Sequence, residues 1–203
     1  LTYKIEYPEF SSTMYQLSLV VINRFYRDKA LEFQATVEGE MYDNAVEQYK
    51  FAVEHGFPPI PYEALVEFKL TYKCPCILSL YTDQYTFTGG AHGSTVRSSQ
   101  TWNLQKCRRV RLRELIGCTT NYQEYVQKRV KAQIEENPEP YFEDYEKLLV
   151  QTFNPDSFYC TRKGVVVYYQ QYDIAPYSSG IREFLLPYSD CVYDPQDTCF
   201  SIC

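Results

Sequence analysis

Between Tyr62 and Lys73 apolar and polar side chains alternate: Tyr62, Ala64, Val66, Phe68, Leu70 and Tyr72 on one parity, Glu63, Glu67, Lys69, Thr71 and Lys73 on the other. Period two over this length predicts a strand with one buried face. After Cys74-Pro75-Cys76, the runs Ile77 to Thr88 and Thr95 to Gln105 predict two more strands, joined by TGGAHG. Short connections between three successive strands make an antiparallel meander, and a glycine-rich joint supplies the positive φ that a hairpin needs. Further on, FYCT leads through Lys163-Gly164 into VVVYYQQY, and IREFLLPYS follows DIAPYSSG. The middle run is apolar on both parities, which suits a central strand. At the N-terminus LTYKIEYPEF predicts a strand with Tyr3, Ile5 and Tyr7 on one face and Pro8 marking its end or a sheet edge.

Elsewhere the period changes to three or four. Met14, Leu17, Val21 and Phe25 predict a helix face behind caps at Ser11, Ser12 or Thr13. Tyr42, Ala45, Val46, Tyr49 and Val53 predict a second stripe, with Gly39 as the break and HGFPPIP as the stop. Thr119, Thr120 or Asn121 would cap a helix to about Glu136, with Tyr122, Tyr125, Val126, Arg129, Val130 and Ile134 near helical spacing. NPEP ends it, and PYFEDYEKLLVQTF predicts another with Phe142, Tyr145, Leu148 and Leu149 inward. Strands followed by helices in this order make the chain α+β: an antiparallel meander sheet with helices packed on it. The expected division is residues 1–60, strand and helices; 61–190, sheet and helix; and 191–203, a cysteine-containing tail.

Composition narrows the function classes. With 203 residues, 45% hydrophobic and 23% charged, the chain is globular and large enough for one domain or two small ones. Its net charge of −6 argues against nucleic acid or an anionic membrane as partner and favours a cationic one. No apolar run approaches the roughly 20 residues of a membrane span, and no signal-peptide pattern opens the chain. A first residue of Leu is what a product trimmed from an exported or tethered protein would show. The 21 tyrosines suit both half-buried strand positions and partner contacts. The basic run Lys106 to Leu115 reads as a solvated sheet edge, and the acids from Glu135 to Glu146 as a solvated helix face.

Eight cysteines, an even number, suit an oxidised and exported protein. Metal-ligand pairs spaced like CxxC or HxxxH are absent from the sequence, so no metal and no cofactor is expected. Strand alternation puts Cys74 and Cys76 on one face, which disfavours a bond between them, and Cys191 is expected to pair with Cys199 or Cys203. The candidate for catalysis is His92, a loop histidine with Asp83, Ser94 and Ser98 near in sequence. None stands in a nucleophile elbow, and the glycines fit neither GxGxxG nor a phosphate loop. A hairpin accounts for TGGAHG without chemistry.

YTFTGGAHG, a strand ending TWNL, the stretch VRLRELIG, a helical insert and FYCTRKGVVVYYQQYDIAPYSSGIREFLLPYS together resemble the extracytoplasmic module of RsiV-type anti-sigma factors. The same paired module precedes the catalytic domain of PdaC-type peptidoglycan deacetylases. The resemblance covers about residues 60–190, more weakly the N-terminal half. It implies two interlocked α+β subdomains outside the cytoplasmic membrane, mostly of Gram-positive bacteria. In RsiV-like proteins the module binds lysozyme, which leads to release of an extracytoplasmic-function sigma factor. PdaC-like catalysis belongs to a separate domain with an HxxxH metal motif, which a chain whose histidines are His55 and His92 does not contain.

Three functions follow in order of preference: a non-catalytic sensor or binding module, a peptidoglycan-binding accessory module, and a hydrolase using His92. The binding residues expected are Tyr172, Asp173, Pro176 and Tyr177 of the DIAPYSSG loop, with Gly90 and His92 of the hairpin.

Overall fold

A computed structural model describes residues 1–199. The chain divides into two compact units, the first made of Leu1–Phe68 and Thr82–Val96, the second of Lys69–Tyr81 and the chain from Arg97 onward. A five-stranded sheet has the order β1 (Thr2–Ile5), β2 (Glu63–Cys74), β3 (Ile77–Phe87), β4 (Ser94–Asn103), β5 (Arg108–Arg109). β2 to β4 are the expected meander, since strands so tightly joined can neighbour each other only antiparallel. β1 adds to its edge in parallel, with Tyr3 opposite Ala64 and Ile5 opposite Val66. A second sheet is β6 (Phe158–Cys160), β7 (Gly164–Tyr169) and β8 (Arg182–Pro187), antiparallel with β7 in the middle. All six residues of β7 are buried, as the unbroken apolar run predicts.

In the first unit, α1 (Gln16–Thr36) runs through a π-helical turn, Val37–Met41, into α2 (Tyr42–His55). Gly39 therefore does not break the helix. One glycine costs a helix about 1 kcal/mol against alanine, and burial of the flanking Val37 and Met41 with Tyr62 and Ala64 offsets that. The caps are also different: the Ser12 hydroxyl accepts from the Met14 amide at 3.1 Å, upstream of the helix, and α1 starts after Tyr15 without a side-chain cap.

The buried face of α1 is one position away from the expected one. Ser18, Leu19, Ile22, Tyr26 and Ala30 face inward, while Leu17 is 85% exposed and Met14 and Val21 are exposed too. In α2 the buried residue is Ala52, and Tyr42, Tyr49 and Val53 face outward. α1 carries two neighbouring apolar stripes, each with helical spacing, so periodicity alone could not choose between them.

In the second unit, α3 (Tyr122–Glu135) begins at Asn121, whose side chain accepts from the Glu124 amide, and buries Val126, Val130 and Ile134. α4 is short, Tyr145–Gln151, and buries Leu149. The expected start at Pro140 fails because that segment's backbone bonds elsewhere: the Phe142 amide donates to the Ile174 carbonyl at 3.1 Å, and the Pro140 carbonyl accepts from Ser179. The basic run forms β5 and an edge turn in which Glu114 accepts from both Arg108 and Arg111. These bonds, those from Arg108 foremost, hold the Glu114 carboxyl down at about 2.

Disulfides join Cys118 to Cys191 and Cys76 to Cys199. Cys191 thus pairs with neither of its expected partners; Cys203, one of those two, lies outside the described residues. The physical reason is a pairing invisible in sequence, the bridge of Ile116 to Val192 with the Gly117 amide donating to the Cys191 carbonyl, which sets Cys118 beside Cys191. Cys74 and Cys76 are not bonded to each other.

Candidate functional site

The loop between β7 and β8 is fixed from three sides. Its first anchor is Gln170, whose carboxamide oxygen accepts from the Arg97 amide at 3.0 Å and whose nitrogen donates to the Arg97 carbonyl at 2.7 Å. The side chain thus occupies the place a neighbouring strand would take. The second anchor is Asp173, which accepts from the Gln170 amide at 2.7 Å and closes the turn. Burial raises the Asp173 carboxyl above the usual aspartate range, and that hydrogen bond opposes the shift. The third is the buried pair Ile174 and Ala175 with Ser179, whose hydroxyl donates to the Pro140 carbonyl at 3.2 Å.

What this frame presents is aromatic. Tyr172 is 54% exposed and sits at φ 67°, a left-handed conformation that bulky residues rarely adopt. Its ring centroid lies 6.0 Å from that of Tyr177, which opens a short 3-10 turn after the exposed Pro176. Of the residues expected to bind, Tyr172, Asp173, Pro176 and Tyr177 stand together, with Asp173 committed to the turn, Tyr172 and Pro176 exposed and Tyr177 half-buried. Gly90 and His92 belong to the first unit, in the β3–β4 connection. Gly89 and Gly90 take φ of 101° and 91°, as the hairpin requires. Nδ1 of the exposed His92 lies 3.1 Å from the Gly93 carbonyl oxygen.

Beneath the loop Arg97 lies in an aromatic box. Its guanidinium is 3.7 Å from the Tyr81 ring centroid, 5.8 Å from that of Tyr168, and paired with Glu183, which also accepts from Tyr159 at 3.0 Å. Burial foremost, then Glu183, pushes the Tyr159 hydroxyl well above the usual tyrosine range. Beside it is a cleft of about 170 Å³ lined by Arg97, Arg109, Arg111, Asn154 and Asp156 among others. Sequence reading missed this cleft. Arg109 and Arg111 do alternate along the chain, but their meeting with residues 154–158 depends on tertiary pairing.

An α+β module with a mixed five-stranded sheet and a separate three-stranded one is the class the fold defines. Residues 1–95 match the family described as Deacetylase PdaC, and residues 115–189 match the family described as Protein of unknown function (DUF3298). Each match covers less than half of the chain and the two follow one another along it, so the resemblance of its motifs to the module of PdaC-type proteins is borne out. A DUF3298 family protein from Pseudomonas aeruginosa is similar in structure, with TM-score 0.51 at 23% identity over 63% of this chain. This chain spans 59% of that one. A DUF3298 family member from Bacteroides fragilis gives TM-score 0.53 at 19% identity, over 90% of this chain and 71% of that one. At these identities the likeness is one of fold. No curated protein matches.

Proposed function

We propose that the chain is a non-catalytic, extracytoplasmic binding module whose contact surface is the platform of Tyr172, Pro176 and Tyr177. The single observation behind this is Tyr172: a large, exposed aromatic side chain held at positive φ on a loop otherwise tied down. Such a backbone costs about 1–3 kcal/mol and persists where the surroundings over-determine it, often at ligand contacts. Rigid tyrosines also lose little entropy on binding. The net charge of −6 favours a basic partner, and the RsiV-like resemblance supplies a candidate, lysozyme, with sigma-factor control through a further segment. Two disulfides suit an oxidising compartment; no helix among the described residues is long and apolar enough to cross a membrane.

The test is calorimetric titration with c-type lysozyme at physiological salt. One-to-one binding is expected, weakened about tenfold or more by Tyr177→Ala, with the melting temperature unchanged. Heat that vanishes with salt, or a variant that loses stability in place of affinity, would count against the platform.

A second reading, a peptidoglycan-binding accessory module, is favoured by the arginine-lined cleft, which suits a carboxylate-bearing sugar. Retention on insoluble peptidoglycan that is lost on Arg111→Ala and kept on Tyr177→Ala would support it. The third, a hydrolase using His92, requires turnover that His92→Ala abolishes. The binding reading expects that substitution to change nothing.

A further inference from the structure

Three sulfur atoms meet where β2 turns into β3. The Sγ atoms of Cys74, Cys76 and Cys199 all lie within 4.8 Å of one another, and all three residues belong to the second unit. Cys76 and Cys199 share a bond, while Cys74 is a thiol, half-buried. Attack of a thiolate on a disulfide sulfur needs a nucleophile within this reach and a path for the leaving sulfur. Both ends of the arrangement are held independently of the bond. The Leu104 amide donates to the Cys76 carbonyl at 2.7 Å, Asn103 donates to the Thr198 hydroxyl at 3.1 Å, and Tyr72 donates to Asp194 at 2.7 Å. Cys199 is therefore kept beside both hairpin cysteines whichever of them holds it.

We propose that Cys74, Cys76 and Cys199 form a thiol–disulfide exchange site. The Cys74 thiolate attacks Sγ of Cys199; a Cys74–Cys199 bond forms, the Cys76–Cys199 bond breaks, and Cys76 leaves with the electron pair and takes up the proton that Cys74 gave. One disulfide and one thiol stand on each side, so no oxidant or reductant is consumed. The two states differ in which thiol is presented: Cys74 is half-buried, whereas Cys76 is only 3% exposed. While the bond rests on Cys76, Cys74 is open to a low-molecular-weight disulfide, which caps it as a mixed disulfide and releases one thiol. When the bond moves to Cys74, that reaction is closed. Cys160 makes the contrast: fully buried, its thiol is pushed up to about 12 by burial, and it stays out of this chemistry.

The experiment uses the whole chain with Cys107, an exposed thiol, replaced by serine to remove background. Linkages are mapped by mass spectrometry after alkylation of the folded protein, before and after incubation with oxidised glutathione. Both Cys76–Cys199 and Cys74–Cys199 are expected, with glutathione on Cys74. Cys76→Ser should keep Cys199 bonded, now to Cys74, and Cys74→Ser should lower glutathione uptake at this hairpin about tenfold or more. The proposal is overturned if the unsubstituted hairpin holds Cys76–Cys199 alone throughout. It is equally overturned if Cys74 is found bonded to Cys203, or if a cooperatively melting Cys76→Ser variant leaves Cys74 and Cys199 both alkylated.

Discussion

The helices of the first unit and the three-stranded sheet of the second use apolar residues in opposite ways. α1 and α2 bury the small residues Ser18, Ala30 and Ala52 beside Leu19, Ile22 and Tyr26, and leave Leu17, Val20, Leu31, Tyr49, Phe51 and Val53 exposed. In β7 everything is inside, Val165 and Val167 fully, and Phe184 and Leu186 of β8 are buried with them. Small residues on the inner helix face allow close approach but give up area, and buried apolar area contributes about 25 cal/mol per Å². The sheet is thus the stability reserve of its unit, while the helices present a surface whose side chains add little to the fold.

That contrast can be broken most severely at the Cys118–Cys191 bond, which joins positions 73 residues apart in the second unit. Replacing both cysteines with serine should destabilise by about 4 kcal/mol, read as a shift in the denaturant midpoint. Next is the sheet core. Leu186→Ala should cost about 3 kcal/mol, and Gly164→Ala about 1–3 kcal/mol, because a Cβ at Gly164 would run into the Leu186 carbonyl, a backbone atom that cannot swing away.

Glu114 gives a smaller, pH-dependent effect. Its folded value of about 2 lies below the usual 4.5, so the stabilisation is present above 4.5 and lost as pH falls toward 2. The arginine partners are 40% and 58% exposed, so screening leaves about 1 kcal/mol. Thermal melts from pH 6 to pH 2 should lose that contribution in the native chain and not in Glu114→Gln.

The smallest effect sharpens the comparison. Leu17→Ala should change stability by less than about 0.5 kcal/mol, although Ile22→Ala, five residues on, should cost about 3 kcal/mol. Equal losses at the two positions would mean that the outward stripe of α1 is covered in the folded protein.

The strands were legible because alternation and runs are local: β2, β3, β4 and β7 stand within a few residues of their expected limits. Even there burial was not uniform, since Phe68 and Leu70 share a parity with Ala64 and Tyr72 yet are exposed. The binding loop was legible as residues, and its frame was not. Nothing in YYQQYDIAPYSSG announces that Gln170 will clamp the backbone of Arg97, 73 residues away, or that Asp173 will be spent on the turn. The cleft was invisible for the same reason.

Period and composition by themselves determined the α+β class, the meander, the buried central strand, the helix after Asn121 and the acidic balance, because each depends on neighbours within a few residues. Which of two apolar stripes faces inward, which cysteines meet, and which tyrosines stay outside were decided by tertiary structure. Those outcomes depend on what packs against each residue, and the packing partner lies tens of residues away in the chain.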